Sequence, residues 1–87
     1  MPRYFFHVDD GVFSADLEGT ELADIREARH AAVRLSGEIL KDVGGAFWTR
    51  GNPWRLYVTD EAHHLLFTLQ FSADVPSTRV VFRPVTP

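Results

Sequence analysis

An 87-residue chain has room for one hydrophobic core, which excludes a two-domain organisation. Its 45% hydrophobic, 13% aromatic and 24% charged residues are those of an ordinary folded domain rather than a disordered or membrane chain. The formal net charge of -3 gives no general attraction to nucleic acid or anionic lipid, and the lack of cysteine excludes disulfides, a thiolate nucleophile and cysteine-ligated metal.

Residues 3–9 alternate, with Tyr4, Phe6 and Val8 on one side and Arg3, Phe5 and His7 on the other, which predicts a strand. Asp9, Asp10 and Gly11 supply turn chemistry, so a second strand is expected over residues 12–17, with Phe13, Ala15 and Leu17 on one face and Gly19 ending it. Asp24 and Glu27 have the spacing of a capping box. Behind them Ile25, Ala28, Ala32, Leu35, Ser36 and Ile39 recur at helical spacing, with Val33 and Leu40 at the margins, and Gly44 and Gly45 end the helix through a left-handed cap after about 18 residues.

Residues 44–53 read as a loop carrying Phe47, Trp48 and Arg50, a candidate contact surface or a lid on the core. Two further strands follow at residues 54–60 and 65–71, with Trp54, Leu56 and Val58 opposite in facing to Arg55, Tyr57 and Thr59, and with Phe67, Leu69 and Phe71 inward. The order is ββαββ, an α+β fold in which an antiparallel sheet of two hairpins carries one helix on one face. This domain spans residues 1–73, and residues 74–87 form a C-terminal tail or edge strand. Within it Arg79, Val80, Val81, Phe82 and Arg83 have strand composition between Pro76 and Pro84. Pairing with the same sheet, pairing with a second copy, and hanging free are all open at this point.

The opening Pro2-Arg3-Tyr4-Phe5-Phe6-His7-Val8, the segment Asp16-Leu17-Glu18-Gly19-Thr20-Glu21-Leu22-Ala23-Asp24, the alanine-spaced helix and Trp54-Arg55-Leu56-Tyr57-Val58-Thr59-Asp60-Glu61 together resemble a family of small bacterial proteins known as a domain of unknown function. The resemblance covers residue 1 to about residue 73 and implies a fold, with no activity to carry over. His63 and His64 stand where that family more often has Gly or a charged residue, and residues 79–87 fall outside its pattern.

Histidine is a common metal ligand, but the four here are poorly placed for it. His63 and His64 are neighbours and point apart on an extended chain, His30 lies between Arg26 and Arg34, and His7 faces away from Tyr4 and Phe6. The acidic residues Asp16, Glu18, Glu21 and Asp24 lack the spacing of a calcium loop, and Asp24 is needed as a helix cap. Ser14, Ser36, Ser72 and Ser77 stand in no nucleophile elbow, and Gly44-Gly45 end a helix rather than open a phosphate loop. No catalytic residue, cofactor or metal is expected, and a small enzyme using His7 or the carboxylates ranks behind the other readings.

The second sheet face is the more informative feature. With the helix on the first face, Phe5, His7, Arg55, Tyr57 and Leu66 share the other with Arg3 and Thr59, a combination of aromatic and arginine side chains found at protein interfaces. The leading expectation is a non-catalytic binding module that forms a homo-oligomer or meets another protein. A nucleic-acid-associated regulator of the antitoxin kind is the alternative. It is disfavoured by the net charge and by the lack of an RNA-binding motif. No signal peptide pattern opens the chain and no segment approaches the roughly 20 apolar residues of a membrane span, so a cytoplasmic location without membrane association is expected.

Overall fold

Alternation of large apolar and polar side chains in two segments, residues 3–9 and 54–59, sets the centre of the sheet. The structure is a computed structural model that describes residues 1–84. Its elements in chain order are β1 (Arg3–Asp9), β2 (Phe13–Ser14), β3 (Thr20–Glu21), α1 (Ile25–Val43), α2 (Ala46–Arg50), β4 (Trp54–Thr59) and β5 (Leu65–Phe71). All pairings are antiparallel and the strand order is β2-β1-β4-β5, with β3 also on the outer edge of β1. The fold is the expected α+β arrangement with α1 over one face.

The β1–β4 register places Phe6 opposite Val58 and Val8 opposite Leu56, so their shared parity turns Tyr4, Phe6, Trp54, Leu56 and Val58 toward α1, where all five are buried. The helix answers with small residues. Ala28, Ala32 and Ser36 lie four apart on one stripe, are buried, and let the helix approach the aromatic layer closely. The Ser36 hydroxyl donates to the Ala32 carbonyl at 2.7 Å, which satisfies it without a partner from the sheet. Leu35, Ile39 and Leu40 pack at the rim of this core, whereas Ile25 and Val33 are exposed.

Both helix ends follow from local chemistry. The Asp24 side chain accepts from the Glu27 N–H at 2.9 Å, and the Glu27 carboxylate accepts from the Ala23 N–H at 3.2 Å, one residue earlier than in a standard capping box. At the other end Gly44 takes φ 52° and its N–H donates to the Leu40 carbonyl, closing α1 after 19 residues; its ψ of -132° lies outside the left-handed helical region.

Three expectations are corrected. The second strand does not run over residues 12–17: it is the two-residue β2, followed by an irregular crossing to β3, because the Asp16 carboxylate, in place of a strand carbonyl, takes the Phe6 N–H on the edge of β1. The 44–53 segment is not an open loop but contains the single-turn-and-a-half helix α2, which half-buries Phe47 edge-on to Phe71 at 5.0 Å. Finally, residues 79–83 form no strand, and Val80, Val81 and Phe82 are 65%, 70% and 84% exposed rather than packed back on the sheet. The end of the tail, residues 85–87, lies outside the described residues.

The β4–β5 connection turns at His63, whose φ of 65° is the one positive value outside glycine among the described residues. Asp60 holds this turn: its carboxylate accepts from the Ala62 and His64 N–H groups, both at 2.9 Å, and its backbone exchanges hydrogen bonds with His63 and His64.

Two stability predictions follow from these contacts. Ala32→Leu has no space between α1 and the sheet and is expected to destabilise the fold by about 2 kcal/mol or more, measured by urea unfolding. His63→Gly removes the left-handed strain and is expected to stabilise by about 0.5–1 kcal/mol after the larger unfolded-state entropy of glycine is deducted, a gain visible as a raised melting temperature.

Candidate functional site

The face of the sheet turned away from α1 is built from the second parity of the same strands. His7 stands opposite Tyr57, Phe5 opposite Thr59, and Asp9 opposite Arg55. A row of rings runs across it: Phe5 stacks on His7 with centroids 6.4 Å apart and planes 8° from parallel, His7 on Phe13 at 5.9 Å and 23°, and Phe13 meets Tyr57 at 6.4 Å and 46°. Phe5, His7 and Tyr57 are half-buried, while Phe13, which lies between His7 and Tyr57 in the row, is 58% exposed. Phe13 is the member that sequence reasoning missed, because its place depends on how β2 folds over β1.

The other expected face residues divide. The Arg55 guanidinium donates to Gln70 Oε1 on β5 at 2.9 Å, so it lies along the sheet at the rim. Leu66 is the extra residue of a β-bulge: the register passes from Val58–Phe67 to Thr59–Leu65 and leaves it without a cross-strand partner. Phe47, Trp48 and Arg50 also separate. Phe47 belongs to the core rim, Trp48 is 67% exposed beside it, and Arg50 forms an ion pair with Asp10 at the tip of the first hairpin.

His7 is held from both sides. The Asp16 N–H donates to Nδ1 at 3.0 Å, which places the ring proton on Nε2, 2.9 Å from the Thr59 hydroxyl. Both ring nitrogens are therefore engaged in fixing the imidazole within the aromatic row.

Asp16 itself is the organising group. Its Oδ2 accepts from the Phe6 N–H at 3.1 Å, and Oδ1 accepts from the Glu18 and Gly19 N–H groups at 3.1 and 3.0 Å. Burial opposes its charge, but the N–H groups of Gly19, Phe6 and Glu18 outweigh that and hold the carboxyl below the usual aspartate range. The turn it creates brings Gly19 against β1 with φ 73°; a Cβ there would lie 2.8 Å from both Arg3 Cγ and Phe5 Cε2. Arg3 completes the wrap, donating to the Glu18 carbonyl at 2.8 Å and pairing with Glu21 at 3.0 Å.

Of the acidic run, the side chain of Asp16 is committed to backbone N–H groups, that of Glu21 to Arg3 and that of Asp24 to the helix cap, while Glu18 takes part through its backbone. Among the described residues no three His, Asp or Glu side chains converge to hold a metal ion, and no helix is long and apolar enough to cross a membrane. His30 is exposed on α1, and His64 Nδ1 lies 3.3 Å from Asp60 Oδ2 in the β4–β5 turn.

A protein-family model described as "Domain of unknown function (DUF6894)" matches residues 3–72. No curated protein and no solved structure matches the chain.

Because the Asp16 carboxyl titrates at a lowered value in the folded chain, its contribution is present above the ordinary aspartate range and is lost as pH falls through the folded value. Asp16→Asn, which sets an amide NH₂ against a backbone donor, is expected to cost about 1–2 kcal/mol near pH 7. The deficit relative to the wild type is expected to shrink as pH falls below the ordinary aspartate range and through the lowered folded value of Asp16, where the wild-type carboxyl is itself protonated; thermal unfolding of both proteins across pH reads this directly.

Proposed function

We propose that the chain, which belongs to this domain-of-unknown-function family, is a non-catalytic interaction module that self-associates through its open sheet face. One observation carries the reading. A sheet normally buries an aromatic face under a second layer, and here a row of four rings has none above it among the described residues, with Phe13, between His7 and Tyr57, more than half exposed.

The chemistry of the face favours a second copy as the occupant. Arg3 and Arg55 lie at its margins with Glu21 and Asp9 opposite them, so both charge signs border the same patch, which suits a two-fold self-complementary contact. The engagement of both His7 nitrogens supports a binding role rather than proton transfer, because neither nitrogen is free for a substrate. A cysteine-free composition supports a cytoplasmic setting for this module.

Phe5 is a poor probe because its ring supports the Gly19 turn; Phe13 and Tyr57 are better. Phe13→Ala combined with Tyr57→Ala is expected to weaken self-association by about tenfold or more while leaving the melting temperature within a few degrees of the wild type. Sedimentation equilibrium across a concentration series measures this, and an unchanged association constant would overturn the reading.

A further inference from the structure

The two edges of the sheet are treated very differently by the sequence. On the outer side of β1 the backbone is covered piece by piece: β2 pairs with Val8 and Asp9, the Asp16 carboxylate takes the Phe6 N–H, and β3 pairs with Arg3 and Tyr4. On the opposite side β5 pairs only with β4, so its outer backbone edge has no partner among the described residues. That edge reads Leu65-Leu66-Phe67-Thr68-Leu69-Gln70-Phe71, seven residues with no charge and no proline. Edges left bare in this way are templates for another strand, and natural sheets usually blunt them with charges, prolines or a covering segment.

The same chain carries a segment that suits this edge and is not using it. Arg79-Val80-Val81-Phe82-Arg83 is β-branched and aromatic, and its three apolar side chains are more than 60% exposed. Residues 72–84 are exposed and form no helix or strand, and the Cα radius of gyration is 16.2 Å where a compact chain of this length has about 12 Å. The segment leaves β5 alongside Trp48 and α2 instead of folding back, since residues 72–75 line one groove with Phe47 and Trp48. It is a segment of strand composition presented outward.

We propose that two copies exchange these segments, residues 79–83 of each adding as an antiparallel or parallel strand to the bare β5 edge of the other. Reciprocal exchange closes a two-fold dimer and uses up both edges. The flanking Pro76 and Pro84 and the charges of Arg79 and Arg83 limit the added strand to five residues and blunt its own outer edge, so the sheet stops growing there. This inference shares with the open-face reading only the premise that the chain self-associates, and it uses a different surface.

Strand pairing has a signature that apolar sticking lacks. Successive N–H groups along a strand point to opposite sides, so of Val80 and Val81 only one donates toward β5. Proline removes that donor. The test is therefore the mass of the full chain by sedimentation equilibrium for the wild type, Val80→Pro, Val81→Pro and the Phe13→Ala/Tyr57→Ala variant, all substituted at positions exposed or peripheral to the core.

The expected result is a wild-type dimer, one proline variant weakened by about tenfold or more, and the other close to wild type. Hydrogen exchange should show β5 amides protected in the dimer and exposed in the weakened variant. A wild type that stays monomeric overturns both proposals, including the case in which the tail folds onto its own edge. Two proline variants that dimerise normally overturn the exchange and leave the open face to be judged by its own variant. Two that weaken equally show a contact through side chains and overturn strand pairing. Loss in one proline variant with a normal Phe13→Ala/Tyr57→Ala protein supports the exchange and overturns the open-face reading.

Discussion

The carboxylate of Asp16 stands in for a strand on the outer edge of β1. A neighbouring strand would offer backbone carbonyls to the N–H groups along that edge; here one side chain accepts from Phe6 and, with its other oxygen, from Glu18 and Gly19. A charged acceptor makes stronger hydrogen bonds than a carbonyl, which lets a single group hold a segment that β-pairing would need several residues to hold. The rest of the open face hangs on this clamp. The Asp16 N–H fixes the His7 ring, the turn behind it presses Gly19 on Phe5, and the Glu18 carbonyl anchors Arg3.

On the other side of the sheet the constraint is steric. Five large inward side chains of β1 and β4 fill the layer under α1, and the helix accommodates them only because its contact stripe is Ala28, Ala32 and Ser36. Bulk on the sheet and smallness on the helix are complementary, as close packing demands. One helix covers the β1–β4 centre well but leaves β5 at the margin, where Phe67 and Leu69 are half-buried and Phe71 is 48% exposed. A small domain built in this way has apolar surface left over at one edge and on one face, and association with another chain is a physically economical use of both.

Much of this was legible from local pattern. The inward set Tyr4, Phe6, Trp54, Leu56 and Val58 follows from period-two alternation, and the helix from period 3.6 with Asp24 and Gly44 as its stops, because these signals depend only on neighbours along the chain. The opposition of His7 and Tyr57 was open to sequence reasoning as soon as the two strands were taken as neighbours. Phe13 was not: alternation over residues 12–17 grouped it with Ala15 and Leu17, and only the pairing of the short β2 with Val8 and Asp9 sets which side of the sheet it takes. The turn at Asp16 was likewise invisible, because Asp-x-x-Gly between strands reads as ordinary loop chemistry until a strand edge lies within reach of the carboxylate. The helix α2 was hidden by Gly45, Gly51 and Pro53, whose breaker character outweighs a five-residue run with no room for periodicity.

The chain by itself therefore determined the class of the fold, the central strands, the helix and its limits, and the side chains of β1 and β4 that enter the core, all of them consequences of hydrophobic periodicity and of turn and cap residues acting over a few positions. Tertiary structure alone decided that β1 and β4 lie side by side, that Asp16 seals one edge while β5 keeps the other bare among the described residues, and that Phe5, His7, Phe13 and Tyr57 form one row. Those outcomes depend on contacts between residues six to more than fifty positions apart, where geometry in space, and no pattern along the chain, selects the partner.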